Sequence, residues 1–128
     1  MSREIIVLTD VKLITCVVQR GQGEAVFRAA QAVGAQGATL FYARGTGIQE
    51  RLGLLGITVS TEKEVVLMVV SSDQAERIFE HVYLVAELDK PGRGFMYVTH
   101  LEKAATYVPH SVIEQITATA TAHQDGEV

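Results

Sequence analysis

The chain has no tryptophan, one cysteine, two prolines and only 6% aromatic residues, and 20% of its residues are charged. A lone cysteine has no intramolecular disulfide partner. Cys16 sits in an apolar run, where a free thiol behaves as a small core residue. Long hydrophobic runs are also missing. The longest, Val65 to Val70, is far below the ~20 residues that cross a bilayer, so no membrane insertion is expected. Glu4 to Thr9 is too short for a secretory core and is followed by no small-residue cleavage site, which predicts a cytoplasmic protein. Basic charge is scarce: the net charge is −4, with no basic stripe interleaved with aromatics. Nucleic acid is therefore not an expected partner. His81, His100, His110 and His123 are scattered without ligand spacing, and no metal is expected. No Ser-His-Asp order and no obvious carboxylate pair can be placed, so no catalytic residue is assigned. What is present is a 48% hydrophobic content in 128 residues. That supports one core and one domain, residues 1–128.

Val11 to Val18 is rich in β-branched residues and predicts a strand, with Glu4 to Leu8 a lead-in or edge strand before it. Glu24 to Val33 places Val26, Ala29, Ala30 and Val33 on one face of a helix, which Gly34 closes in a left-handed conformation. Gly37 to Arg44 alternates as a second strand. Gly45 to Thr61 has no clean period and predicts a long loop with a short helical piece at Gln49 to Leu55; loops of this length are uncommon and usually functional or disordered. Glu62 to Val70 predicts a buried third strand. Ser72 or Asp73 begins a second helix, with Asp73 and Glu76 at capping-box spacing and Ala75, Ile78, Phe79, Val82, Tyr83 and Ala86 inside. Pro91 to Gly94 is a turn, Phe95 to Thr99 a fourth strand, and Val108 to Ala122 a last helix before a frayed tail. Two βαβ units in this order predict an α+β, ferredoxin-like βαββαβ sandwich. Strands this apolar leave a sheet face that a partner subunit must cover.

The bends Gly45-Thr46-Gly47 and Gly92-Arg93-Gly94 abut strands. Glycine lets peptide N–H groups approach a phosphate closely, and Arg93, Lys90 and Arg44 offer charge. Taken alone, either bend is better explained by a turn needing positive φ. Neither is a Walker A loop or a dinucleotide fingerprint.

From Val17, the stretch VVQRGQGEAVFRAAQAVGAQGATLFYARGTG runs without a gap against the first strand, helix and second strand of the PII nitrogen-regulatory proteins. KEVVLMVVSSDQAERIFEHV is similar to that family's third strand and second helix, and LDKPGRGFMYV to its B-loop segment. The resemblance covers Val11 to Val108 and is that of a divergent, PII-like branch. It implies a trimer, a T-loop at residues 45–61, a B-loop at 88–94 and a C-terminal helix or tail at 109–128. It further implies a non-catalytic regulator that holds an adenine nucleotide between subunits. Carried over by position, Gly45, Thr46 and Gly47 contact phosphate and ribose, Thr39 and the backbone near Glu64 and Val66 hold adenine, and Gly92, Arg93 and Gly94 cradle phosphates, with Phe95 next to them.

The chain departs from the family where cations matter. The basic residue after the second glycine pair falls at Ile48, the B-loop lysine at Phe95, and two C-terminal arginines near Thr106 and Val108. With those charges gone, AMP, ADP or cyclic AMP is expected over ATP. Gln49 aligns with a metal-binding glutamine, but sensing of 2-oxoglutarate needs a Mg-ATP platform and is not expected. No tyrosine lies between Gly45 and Thr61, so uridylylation there is not expected. The loop carries Leu52, Leu54 and Leu55 beside Gln49, Glu50 and Arg51. It reads either as a docking element for a partner, expected to be a membrane transporter, or as a segment that folds back on its own trimer. Two other readings remain: an acylphosphatase-like hydrolase using Gln19-Arg20-Gly21-Gln22-Gly23, and a CutA-type metal-binding trimer.

Overall fold

The structure is a computed structural model that describes residues 3–45 and 61–111. Residues Asp10–Glu102 form one compact unit; Met1–Thr9 with Lys103–Val128 form another. In the larger unit the order is β1 (Val11–Gln19), α1 (Gly23–Ala32), β2 (Thr39–Gly45), β3 (Thr61–Ser71), α2 (Ser72–Val85) and β4 (Gly94–Leu101). The sheet order is β2-β3-β1-β4, with every neighbouring pair antiparallel. This is the expected α+β, ferredoxin-like arrangement.

Alternation divides each strand between two faces. On one face Ile14, Cys16 and Val18 of β1 and Val66, Met68 and Val70 of β3 are buried against Val26, Ala29 and Ala30 of α1 and Ala75, Ile78 and Val82 of α2. The register sets Ile14 opposite Met68 and Cys16 opposite Val66. Burial pushes the Cys16 thiol up to about 12, as the core reading of that residue requires. The opposite face carries Phe41, Val69, Phe95 and Tyr97, which are 44%, 49%, 58% and 49% exposed. The Phe95 and Tyr97 rings stack at 6.3 Å. Between these strands Thr15 is buried, and its hydroxyl has no hydrogen-bond partner among the described residues.

Several local expectations are corrected. Glu4 to Leu8 is a lead-in and not an edge strand; among the described residues of the smaller unit, Leu8 and Ala104 pair, exchanging 2.8 Å backbone hydrogen bonds. The N-cap of α2 is Ser71, without a side-chain cap, so neither Ser72 nor the Asp73–Glu76 box performs that role. The Ser72 amide instead donates to the Asp10 carbonyl at 3.0 Å. The buried stripe of α2 is narrower than its periodicity suggested, since Tyr83 is exposed and Phe79 half-buried. In β3, Val69 faces out while Glu64 is buried. Gly34 does follow α1 with φ of +120°. The helical piece at Gln49 to Leu55 lies outside the described residues, as does nearly all of the last helix.

Candidate functional site

Gly45 and the bend Gly92 to Gly94 lie at one end of the sheet. Gly45 closes β2; Thr46 and Gly47 lie outside the described residues, as do Gln49, Glu50, Arg51, Leu52, Leu54 and Leu55. The second bend leads into β4, where Gly92 has φ of +77° and Gly94 +137°. Only glycine adopts such angles freely. A β-carbon on Gly94 would collide with the Val17 carbonyl oxygen, whereas one on Gly92 would meet nothing within 4 Å. Gly94 is thus required by close packing, and Gly92 leaves bare backbone open to a ligand. The bend is held from β1, because the Gln19 side-chain amide donates to the Gly92 carbonyl at 2.6 Å. The sequence placed Gln19 only in the acylphosphatase-like alternative, since a polar residue ending a strand gives no sign of a partner 73 residues away.

The cations assigned to this bend are engaged elsewhere. Arg93 Nε donates to the Ala86 carbonyl at 3.2 Å, capping the exposed end of α2, where positive charge is favoured by the helix dipole. The same guanidinium lies 4.0 Å from Glu87, and Lys90 Nζ bonds Glu87 at 3.0 Å. The hydrogen bond and charge of Lys90, with a smaller effect of Arg93, hold the Glu87 carboxyl below its ordinary value. Phe95 offers an exposed ring on the open sheet face and no charge.

Thr39 opens β2 and alternates with Leu40, which packs toward α1; the threonine therefore belongs to the open face with Phe41. Val66 is fully buried and Glu64 nearly so. Their peptide groups lie between β1 and β2, inside the ladder. The two bends occupy the same end of the sheet but opposite edges, since β2 and β4 are the outer strands. Three interstrand spacings, roughly 14 Å, separate those edges within one subunit. Among the described residues, Gly45 and the Gly92 bend do not meet within one copy of the chain.

The β1–α1 turn, Gln19 to Gly23, has its anion cradle filled. Gly21 and Gly23 donate their amides to the two Glu64 carboxylate oxygens at 3.0 and 2.8 Å. Arg20 is ion-paired to Glu62. A phosphate entering as in an acylphosphatase would have to displace a buried carboxylate, so that alternative lacks an open site. The signal for Glu64 was available: an acid that leads into the apolar run Val65 to Val70, in an inward-facing position, needs donors. Among the described residues no three His, Cys, Asp or Glu side chains gather as a metal would require. No helix among the described residues is long and apolar enough to cross a membrane.

No curated protein matches the sequence. Among solved structures, the chain is similar to Arabidopsis thaliana PII bound to citrate, at 21% identity and a TM-score of 0.56 over 73% of this chain and 79% of that one. It is likewise similar to a B. subtilis GlnK-ATP complex, at 18% identity and a TM-score of 0.59 over 74% of this chain and 85% of that one. Both likenesses concern the fold. The sequence pattern of the family described as nitrogen regulatory protein P-II matches residues 11–111. Since that span contains every strand and helix of the sandwich, the chain belongs to the P-II family of nitrogen regulatory proteins.

Proposed function

We propose that this chain is a cytoplasmic, trimeric regulator that binds an adenine nucleotide between subunits and passes the signal to a partner through the loop after β2. P-II proteins are typically trimers that regulate partner proteins and are generally not enzymes. The observation that carries the reading is that Gly45 and the bend Gly92 to Gly94 stand at one end of the sheet, on opposite edges. In a closed ring the β2 edge of one copy meets the β4 edge of the next, and each boundary acquires both bends. The exposed apolar face, with Phe41, Val69, Phe95 and Tyr97, supports the same assembly, since a monomer would leave it in water.

In this pocket the Gly92 backbone meets phosphate, Thr39 lies beside adenine, and Phe95 lies at the rim. Charge sets the preference. Phe95 brings none, and Lys90 and Arg93 are committed to Glu87. Each missing charge-assisted hydrogen bond removes ~1.5–3 kcal/mol from a phosphate contact. AMP, ADP or cyclic AMP is therefore favoured over ATP, although a GlnK of the same fold is known with ATP. The nucleotide acts by binding one loop conformation better than another, and the loop then engages or releases a partner, here taken as a membrane transporter. Titration calorimetry with the four nucleotides tests the reading. Binding of AMP, ADP or cyclic AMP with ATP weakest is the expected result; absence of binding below ~1 mM, which is ~4 kcal/mol, removes the nucleotide, and a wide margin for ATP removes the charge argument.

A further inference from the structure

We propose that the helix side of the sheet end holds a second ligand site, for a compact phosphate or phosphate monoester, separate from the pocket between subunits. A cleft of about 340 Å³ opens there, lined by Arg20, Tyr42, Ala43, Arg44 and Glu62. Its side is fixed by β2. A β-carbon on Gly23 at the start of α1 would come within 2.6 Å of Leu40 Cδ1. Leu40 therefore points to the helix side, and Tyr42 and Arg44 follow it by alternation. Thr39 and Phe41 point the other way, toward the proposed nucleotide pocket. The two sites share a sheet end and lie on opposite faces.

The electrostatics of the cleft favour an anion. Arg44 sits directly across from Glu62 in the β2–β3 register, and Arg20 follows β1 with its amide 3.3 Å from the Glu62 carbonyl. Glu62 spends its carboxylate on Arg20. The next acid on this side, Glu64, spends both oxygens on the Gly21 and Gly23 amides. Arg44 is exposed, and its side chain makes no hydrogen bond or ion pair among the described residues. The residues that line the cleft, Glu64 not among them, carry two guanidiniums and one carboxylate, a net single positive charge, on a chain of net charge −4. A guanidinium presents a planar fork of donors that matches a phosphate or carboxylate edge. Arg20 contributes the donors it does not give to Glu62, and the Tyr42 hydroxyl adds one more. A phosphate has enough acceptor oxygens to reach both arginines at once. The volume admits a phosphate with a small organic group.

Two-dimensional ¹⁵N NMR of the whole chain, titrated with inorganic phosphate and separately with glycerol 2-phosphate against chloride at matched ionic strength, tests the site. Saturable shifts are expected at Tyr42, Ala43, Arg44 and Glu62, absent with chloride. Arg44→Gln should weaken phosphate at least ~10-fold, the equivalent of ~1.4 kcal/mol, and Arg20→Gln by several-fold, with Gly92→Ala leaving it unchanged. Arg44→Lys keeps the charge without the fork and should fall between wild type and Arg44→Gln. Saturation by glycerol 2-phosphate identifies the ligand as an ester; saturation by phosphate alone identifies the free anion. The proposal is overturned if neither saturates, if Arg44→Gln binds as well as wild type, or if the shifts centre on Gly92 and vanish in Gly92→Ala. The site does not depend on the nucleotide reading, so either can fail alone.

Discussion

Replacing Glu64 by Gln isolates the most consequential polar contact inside the fold. The residue is 6% exposed, and its two oxygens accept amides from Gly21 and Gly23. Gln keeps the shape and one acceptor. One bond to a carboxylate becomes a bond to a neutral amide, a loss of ~1 kcal/mol. The other glycine N–H now faces an NH₂ group and is left unsatisfied, which costs ~1–3 kcal/mol. The sum, ~2–4 kcal/mol, lowers the melting temperature by roughly 6–15 °C in a chain of this length. Glu62→Gln is the control. It removes an ion pair whose side chains are 67% and 49% exposed, and such surface pairs contribute ~0–1 kcal/mol. Urea unfolding at fixed protein concentration, with hydrogen exchange at Gly21 and Gly23, reads both variants. If Glu64→Gln stays within ~0.5 kcal/mol of wild type, or Glu62→Gln loses as much, the assignment of that carboxylate as the anchor of α1 is refuted.

Gly94→Ala meets both a positive φ and the Val17 carbonyl. It should cost ~3 kcal/mol or more, against ~1–2 kcal/mol for Gly92→Ala, where only the backbone angle opposes the side chain; thermal melts of the two variants compare them. Cys16, with its thiol pushed up to about 12 by burial, should resist iodoacetamide at pH 8 in the native protein and react on unfolding, so native alkylation would show that the core opens readily. Because the Glu87 pKa is lowered on folding, its contribution to stability is present above the ordinary glutamate range and is lost as pH falls through the folded value. Lys90→Met should remove that share of the acid dependence, as read by unfolding between pH 3 and 6, and an unchanged profile would remove the role of the Lys90 contact. Val69→Asp places a charge on the exposed sheet face without entering the core. For the proposed trimer it should shift sedimentation toward monomer, and an unaltered assembly would mean that another surface joins the subunits.

What the sequence determined by itself was everything set by local periodicity. β-Branched runs became β1 and β3, the 3.6-residue spacing of Val26, Ala29 and Ala30 and of Ala75, Ile78 and Val82 became two helices, and Gly34 and Gly92 took the positive φ values that their chemistry permits. Strand order followed from the right-handed crossovers of two βαβ units, and the P-II resemblance rested on the same spacings. Tertiary structure decided how the charges are spent. Arg93 and Lys90 read as phosphate ligands in the chain, yet Glu87, adjacent only once α2 has ended, claims both. Arg20 and the glycine amides after it resemble an anion cradle, yet Glu62 and Glu64 reach them from a strand more than 40 residues away. Tyr83 and Phe79 fit a helical stripe that Ile78 and Val82 already fill. Hydrophobic pattern is short-ranged and survives in sequence. The partner of a charge is whichever opposite group the fold brings within ~4 Å, and that distance exists only after the strands have found their register.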